Sequence, residues 1–150
     1  MEIWKICNLG HVHWGNAGAA GFLFQHTATN GEASFLLQQR STEVDYPGTW
    51  GIPGGAIRDG ESPEIAARRE FQEEIGPLPS YRTLRTEVQD CGGNWKFHMI
   101  IAEVEEPFLA YRRAETDATG WFTKSDMNNL LLHPGFKIWL DRQPPASDFH

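Results

Sequence analysis

One well-bounded helix, residues 62–75, constrains the fold more than any other feature of the sequence. Ser62 is a favourable N-cap, and Pro63 suits the first helical turn because the N–H that proline lacks would have no partner there. At the other end, Gly76 can adopt the left-handed conformation that closes a helix, and Pro77 prevents the helix from continuing. Both boundaries are therefore predicted from local sequence, and the remaining elements have to pack around this helix.

The predicted helix has an apolar side and an acidic side when its residues are spaced at about 100° each. The apolar residues that we expect to face the core are Ile65, Ala67, Phe71 and Ile75. The acidic side is formed by Glu70, Glu73 and Glu74, with Arg69 beside them. Arg68 is a misfit, since it projects into the apolar side, where only its aliphatic stem suits the surroundings.

The acidic side of the helix is unfavourable as a bare surface. Its three carboxylates repel one another, and they lie in the last turn, where the helix dipole disfavours negative charge. A solvated acidic face is one interpretation. A site for a hard divalent cation is the other, because Mg²⁺ prefers oxygen ligands and usually keeps substrate phosphates in its coordination shell. The second interpretation also explains why a glycine-rich segment precedes the same helix, and we favour it.

Two β-hairpins are predicted, one on each side of the helix. The first joins residues 18–24 and 33–38 through a polar stretch with an Asn-Gly turn signal. The second joins residues 81–90 and 94–104. Between the first hairpin and the helix, residues 45–55 contain four glycines and two prolines, a composition that predicts an irregular loop.

A short strand and two helices are predicted near the C-terminal end of the chain. Residues 121–122 lie in a short strand, residues 125–132 and 134–140 form two helices, and residues 143–150 are a frayed end. Strands thus occur on both sides of a central helix without a regular β-α-β order. That arrangement favours an α+β domain built on a mixed sheet.

Composition excludes several classes of protein. The 150 residues suit a single domain, 1–150, and 13 Lys and Arg against 20 Asp and Glu give a formal charge of −7. Such a surface repels nucleic-acid polymers and anionic membranes, but it allows a small anionic substrate if metal ions bridge the two. The chain has no stretch of 18 apolar residues and no signal-like N-terminus, and its two cysteines are too few for a disulfide scaffold. We therefore expect a cytoplasmic protein.

The spacing of residues from Gly55 onward resembles the signature of a known family. Five residues separate Gly55 from Glu61, seven more lead to Arg69, and the run Glu-Phe-Gln-Glu-Glu-Ile-Gly follows from Glu70. This pattern resembles the Nudix box of the Nudix hydrolases, with Pro77 as a departure at a position that is usually aliphatic. Residues 50–55, residues 36–40 and the segment from Glu115 to Phe122 are similar to further family segments, so that the resemblance covers about residues 18–123.

The resemblance implies a Nudix fold, which is a three-layer α/β/α sandwich around a mixed β-sheet, and hydrolysis of a nucleoside diphosphate linked to another group. It also implies a Mg²⁺ or Mn²⁺ site, whose ligands are Glu70, Glu73, Glu74 and the main-chain carbonyl of Gly55. Arg69 and Glu61 are expected to orient those acids through salt bridges.

The same resemblance implies roles around the substrate. Arg40 is a candidate for gripping the diphosphate, since a guanidinium fork matches two phosphate oxygens. Gly54 and Gly55 let the backbone approach the substrate where a side chain would obstruct it. Glu115 is a candidate for an additional metal ligand or the general base, and Glu73 or Glu70 could equally take the proton from a metal-activated water.

The substrate is predicted by elimination, because the markers of several subfamilies are absent. What remains is most similar to the MutT-like pyrophosphatases, which cleave a nucleoside triphosphate, in some cases oxidised, to the monophosphate and pyrophosphate. ADP-ribose or another nucleotide sugar is an alternative substrate, and a nucleotide-sensing module without catalysis is an alternative function. A homodimer is a further expectation, since dimers are frequent in the family.

Overall fold

The computed structural model describes residues 18–42, 46–90, 95–108 and 116–143. These residues form seven strands and three helices. In chain order they are β1 (Ala19–Thr27), β2 (Ala33–Arg40), β3 (Trp50–Gly51), β4 (Gly54–Ala56), α1 (Pro63–Glu74), β5 (Arg82–Asp90), β6 (Lys96–Glu103), β7 (Thr116–Thr123), α2 (Lys124–Met127) and α3 (Pro134–Asp141).

The strands of the described segments form one mixed sheet. Its main order is β3-β2-β1-β6-β5, while β4 pairs with β1 and β7 pairs with β2. β1 runs parallel to β6, and the other pairs are antiparallel. Both predicted hairpins are confirmed, as β1–β2 and β5–β6. The residues that connect β5 and β6, 91–94, lie outside the described residues.

Helices cover both faces of this sheet, which confirms the α+β fold and its three-layer sandwich. The alternation of side chains along β1 places Phe22 and Phe24 on the face that packs against Phe71 of α1. Leu23 lies on the opposite face, in a second cluster with Trp139 of α3. Two apolar layers therefore sandwich the sheet, and they hold α1 and α3 on opposite sides of it.

The ends of α1 follow the local sequence signals. The Ser62 side chain accepts a hydrogen bond from the Ile65 N–H at 3.2 Å, and Pro63 occupies the first turn. Gly76 has a φ of +146°, and its N–H donates to the Phe71 carbonyl at 3.1 Å. The predicted helix boundaries are therefore confirmed to within one residue.

The orientation of α1 differs from the prediction at its first turn. Ile65 was expected in the core, but it is 54% exposed. The buried face is centred on Ala67, Phe71 and Glu74. At about 100° per residue, Ile65 lies about 200° from Ala67 and about 120° from Phe71, so it falls on the other side of the helix. Arg68 lies on the exposed side together with Ile65, so that the apparent misfit of Arg68 disappears.

Two further predictions were wrong in their extent. The expected irregular loop of residues 45–55 contains β3 and begins β4, because these short segments pair with β2 and β1. The expected helix of residues 125–132 ends at Met127, since the following chain pairs with Trp50. The Trp50 N–H donates to the Leu131 carbonyl, and the His133 N–H donates to the Trp50 carbonyl, each at 2.8 Å.

Two further predictions concern the C-terminal part of the chain. The short strand predicted at residues 121–122 extends over eight residues, as β7. The predicted frayed end falls almost entirely on residues 144–150, outside the described residues. Within the described parts of the chain, the helices are too short or too polar to span a bilayer.

Candidate active site

The guanidinium of Arg69 is the centre of the acidic cluster at the end of α1. Its Nε donates to Glu61 Oε2 at 2.8 Å, and its Nη2 donates to Glu61 Oε1 at 2.9 Å. Nη1 lies 2.9 Å from Glu70 Oε1 and 3.5 Å from Glu73 Oε2, while Nη2 also donates to the Ala56 carbonyl at 3.0 Å. The Arg69 guanidinium therefore contacts three carboxylates and holds them next to β4.

The carboxylate of Glu61 is strongly stabilised in its charged form. The hydrogen bonds from Arg69 and from the Arg58 N–H lower the pKa of Glu61 from its ordinary value of 4.5 to about 2. The same contact with Glu61 raises the pKa of Arg69 above its ordinary value. Both groups are thus charged across the physiological pH range, and the network keeps its shape there.

The backbone at Gly55 lies directly against the Glu70 carboxylate. A Cβ atom at Gly55 would stand 2.5 Å from Glu70 Oε1, which is closer than any side chain tolerates. Gly54 is restricted from the other side, because its Cβ would stand 2.6 Å from the Ala20 carbonyl oxygen of β1. Gly55 therefore lets the Glu70 carboxylate of α1 lie directly on the backbone of β4. Gly54 lets β4 lie equally close to β1.

Glu74 and Glu73 occupy different environments although they are adjacent in sequence. Glu74 is buried, and its Oε2 accepts hydrogen bonds from Gln38 Nε2 at 3.0 Å and from the Gly54 N–H at 3.2 Å. The Glu73 side chain is 51% exposed, and its Oε1 lies 4.0 Å from Arg58 Nη2. Glu74 thus fixes the end of α1 to β2 and β4, and Glu73 is the carboxylate that reaches solvent.

The structure brings most of the predicted site residues together. Those joined by the contacts above are Gly54, Gly55, Glu61, Arg69, Glu70, Glu73 and Glu74. Arg40 lies at the end of β2, where its N–H donates to the Thr49 carbonyl and its carbonyl accepts from the Gly48 N–H. Glu115 lies outside the described residues, just before β7.

Gln38 is a site residue that the sequence reasoning missed. It is 3% exposed and lies two positions after Leu36, which packs in the core layer under α1. Because side chains two apart in a strand share a face, an amide at this position must point towards α1. An amide on the core-facing side of the strand, directly after the buried Leu36 and Leu37, was the signal that could have revealed a partner for one of the helix acids.

The donor atoms of this cluster fit a hard divalent cation in their chemistry. Glu70 and Glu73 both lie within 3.5 Å of the same cationic atom, Arg69 Nη1, so their oxygens already surround one positive charge. Among the described residues, however, no group of three or more acidic, histidine or cysteine side chains is close enough to hold a metal ion by itself. A cation there would need the Gly55 backbone, a substrate oxygen or a shift of Glu74 to complete its ligands.

Comparison with known proteins places this arrangement in a family. The family model for the NUDIX domain matches residues 19–143. The chain is 33% identical over 139 residues to the "Putative 8-oxo-dGTP diphosphatase 3" of Mycobacterium tuberculosis, an alignment that covers 89% of this chain and 64% of that protein. The chain thus spans less than two thirds of the length of that relative.

Two further similarities cover most of both partners. The nucleoside triphosphatase NudI of Enterobacter sp. is 40% identical over 122 residues, which are 73% of this chain and 86% of that protein. The crystal structure of the Nudix hydrolase RenU from M. smegmatis superposes with a TM-score of 0.76 at 33% identity, covering 93% of this chain and 90% of that one. The comparisons of sequence and of fold therefore indicate the same family.

Proposed function

The chain belongs to the Nudix family, and from this premise we propose that it is a pyrophosphohydrolase that cleaves a nucleoside diphosphate linked to a further group. The substrate that we propose is a nucleoside triphosphate, normal or oxidised, which is cleaved to the monophosphate and pyrophosphate. The names of two relatives, an 8-oxo-dGTP diphosphatase and a nucleoside triphosphatase, support this substrate class.

The observation that carries the proposal is the charge network around Arg69. It holds Glu70, whose side chain is 15% exposed, against the Gly55 backbone and leaves Glu73 half exposed beside it, so that two carboxylates are fixed next to each other and one of them reaches solvent. An isolated pair of acids on a helix would be free to move apart. Here the bonds from Arg69 to Glu61 and to Ala56 fix the guanidinium, and the guanidinium fixes the acids.

The proposed ligands of Mg²⁺ or Mn²⁺ are Glu70, Glu73, Glu74 and the Gly55 carbonyl. When it is bound, such an ion supplies positive charge for the phosphate oxygens and lowers the pKa of bound water. The backbone at Gly54 and Gly55 carries no side chain, so a diphosphate can approach it closely. Arg40, at the end of β2, is the proposed guanidinium for that diphosphate.

The proposed base is Glu73, because its carboxylate is the most exposed of the three helix acids and can reach a water molecule. Glu70 is hydrogen-bonded to Arg69 and lies against Gly55, so it is better suited to hold a metal ion than to accept a proton. Glu115 is the remaining candidate. A comparison of pH profiles for Glu73→Gln and Glu115→Gln distinguishes the two, since only loss of the base removes the acidic limb of the profile.

The experiment that tests this function separates and quantifies the nucleotide products, together with any pyrophosphate released, with and without Mg²⁺. The substrates are the four dNTPs, oxidised dNTPs, ADP-ribose and diadenosine polyphosphates. We expect the highest kcat/KM for a triphosphate and complete loss on chelation of the metal. Highest activity on ADP-ribose, seen as AMP and ribose 5-phosphate, would replace the proposed substrate, and no hydrolysis product from any compound would favour a nucleotide-sensing module.

A matched pair of variants tests the site. Glu73→Gln is expected to lower kcat by about a hundredfold or more, because the position loses both its charge and its basicity. Asp141→Asn on α3, where the side chain is 61% exposed, removes the same charge far from the site and should leave kcat unchanged. Undiminished turnover in Glu73→Gln, at an unchanged melting temperature, would refute the assignment.

A further inference from the structure

The Glu74 carboxylate is held at one of its oxygens by two donors from different strands. Glu74 is 8% exposed, and its Oε2 accepts hydrogen bonds from Gln38 Nε2 at 3.0 Å and from the Gly54 N–H at 3.2 Å. A carboxylate oxygen has two lone pairs for such contacts. Both are therefore occupied at Oε2, and a cation could bind this oxygen only by displacing one of the donors.

The sheet fixes the positions of both donors. Gln38 is 3% exposed, and its backbone pairs with Gly51 of β3 on one side and with Thr119 of β7 on the other. Gly54 pairs with Gly21 of β1. Because neither backbone position can follow a rotation of the Glu74 carboxylate, the two hydrogen bonds oppose that rotation.

We propose that Gln38 is a positioning residue that limits Glu74 to one oxygen towards a metal ion, and that the site thereby selects Mg²⁺ over Ca²⁺. Mg²⁺ is small, requires a nearly octahedral arrangement and usually keeps several waters. Ca²⁺ takes about six to eight oxygen atoms and often binds both oxygens of one carboxylate. With Gln38 in place, Glu74 can offer Oε1 to a cation without losing either hydrogen bond, but it cannot offer both oxygens. This selectivity rests on the metal site proposed above and names what sets the choice of ion there.

Glu70 is limited in a similar way. Its Oε1 accepts a hydrogen bond from Arg69 Nη1 at 2.9 Å, and Arg69 is itself held by Glu61 and by the Ala56 carbonyl. Glu73, whose side chain is 51% exposed, is the helix acid with more room to turn. A site that offers few carboxylate oxygens leaves coordination positions for water and for substrate phosphate, which is the arrangement that Mg²⁺ prefers.

The test is competition for bound Mn²⁺ on the full chain without nucleotide, followed by electron paramagnetic resonance. Mg²⁺ and Ca²⁺ are titrated separately, and the ratio of the Ca²⁺ dissociation constant to the Mg²⁺ dissociation constant measures the selectivity. We expect wild type to bind Mg²⁺ more tightly than Ca²⁺. Gln38→Met keeps the approximate volume of the side chain but removes the donor, so Glu74 can present both oxygens. The ratio should then fall by about tenfold.

Gln39→Met is the matched control. Gln39 is the next residue of β2, so its side chain lies on the other face of the strand, where Nε2 donates to the Gly48 carbonyl at 3.2 Å. The same substitution there should leave the ratio unchanged. A purely structural role of Gln38 would lower the melting temperature and weaken the binding of both ions alike, without a change in their ratio. If Gln38→Met does not fold, Gln38→Asn, whose amide is one methylene shorter, should lower the ratio in the same direction.

A ratio that stays at the wild-type value in the Gln38 variants would overturn the proposal. Tighter binding of Ca²⁺ than of Mg²⁺ by wild type would also overturn it, as would the absence of bound Mn²⁺. Failure of the proposed function gives a different result. If the chain hydrolyses no nucleotide while the ratio falls in Gln38→Met, the function fails and the selectivity stands. If hydrolysis depends on Mg²⁺ while the ratio is unaffected by Gln38→Met, the function stands and the selectivity fails.

Discussion

The two main helices lie on opposite faces of one sheet, but they carry their charges in different ways. On α1 the ion pair of Arg69 with Glu61 is largely inside the protein, with side chains 18% and 15% exposed. On α3 the ion pair of Lys137 with Asp141 is at the surface, with side chains 62% and 61% exposed. In both pairs opposite charges lie within salt-bridge distance. Only the pair on α1 is also held by further hydrogen bonds, from Arg69 to the Ala56 carbonyl and from the Arg58 N–H to Glu61.

The difference indicates that the ion pairs of α1 serve to position side chains rather than to stabilise the fold. Burying a charge costs desolvation, and a well-packed apolar residue often stabilises a protein as much as a buried ion pair does. The α3 face needs no such arrangement, because its core residues Phe136 and Trp139 pack on the sheet and its charges remain in water. The α1 face keeps a costly network, and that network holds the carboxylates of the candidate active site in place.

The largest effect that tests this comparison is expected from Arg69→Gln. The substitution removes the charge and most of the bonds to Glu61 and Glu70, which leaves partly buried carboxylates without a cation. We expect a loss of about 2 kcal/mol in the free energy of unfolding, in the range for removing one member of a hydrogen-bonded charged pair. Urea unfolding at neutral pH without metal measures it.

Arg69→Lys is the matched control for that variant. Lysine keeps the positive charge but not the planar fork that serves two carboxylates and the Ala56 carbonyl at once. Compared with Arg69→Gln, Arg69→Lys should recover part of the free energy of unfolding but little of the wild-type kcat. If Arg69→Gln were as stable as wild type, the partly buried carboxylates of Glu61 and Glu70 would not depend on the Arg69 charge.

Much of the α1 side could be predicted because its signals are local. The N-cap Ser62, the terminating Gly76 and the spacing from Gly55 to Glu74 depend on neighbouring residues alone, and the structure agrees with the first two and brings the acids near the glycines. The burial of Glu74 could not be predicted from α1, since it depends on Gln38, a residue of a strand 36 positions away. The exposure of Ile65, by contrast, follows from the helical spacing alone, because Ile65 lies about 200° from Ala67 around α1.

The C-terminal region was predicted less well for a related reason. Nothing local stops a helix at Met127, because the sequence that follows has no glycine or proline until Pro134. The helix ends where the chain pairs with Trp50, some eighty residues earlier in the sequence. A short strand such as β3 is defined by its partner rather than by its own two residues, so its pairing is not visible in sequence.

A smaller effect, and one that depends on pH, is expected from Glu61→Gln. The pKa of Glu61 is about 2 in the fold and 4.5 ordinarily, because Arg69 and the Arg58 N–H stabilise the carboxylate. A group whose folded pKa is lowered stabilises the fold above its ordinary pKa and loses that contribution as the pH falls towards the folded value. The difference in melting temperature between wild type and Glu61→Gln should therefore be constant above pH 4.5 and shrink towards pH 2.

Thermal unfolding in metal-free buffer at a series of pH values measures that difference. Glu64→Gln is the control. Glu64 lies in the first turn of the same helix, and none of the hydrogen bonds described for Arg69 involves it. Its difference from wild type should not follow the same curve. A difference for Glu61→Gln that persists undiminished at pH 2 would mean that Arg69 does not stabilise the charged form.

The smallest effect is expected from Lys137→Ala on α3, and it completes the contrast. The Lys137 Nζ lies 3.1 Å from Asp141 Oδ2 one turn along the helix, a geometry as short as that of many buried pairs. Because both side chains are more than half exposed, water and salt screen the attraction, and such i,i+4 pairs contribute only about 0.3–0.5 kcal/mol. Alanine also favours the helix slightly, so the net change in the free energy of unfolding should be within about 0.5 kcal/mol of zero. Urea unfolding at low and high salt measures it, and a loss as large as that of Arg69→Gln would show that distance, rather than burial, decides the value of an ion pair in this fold.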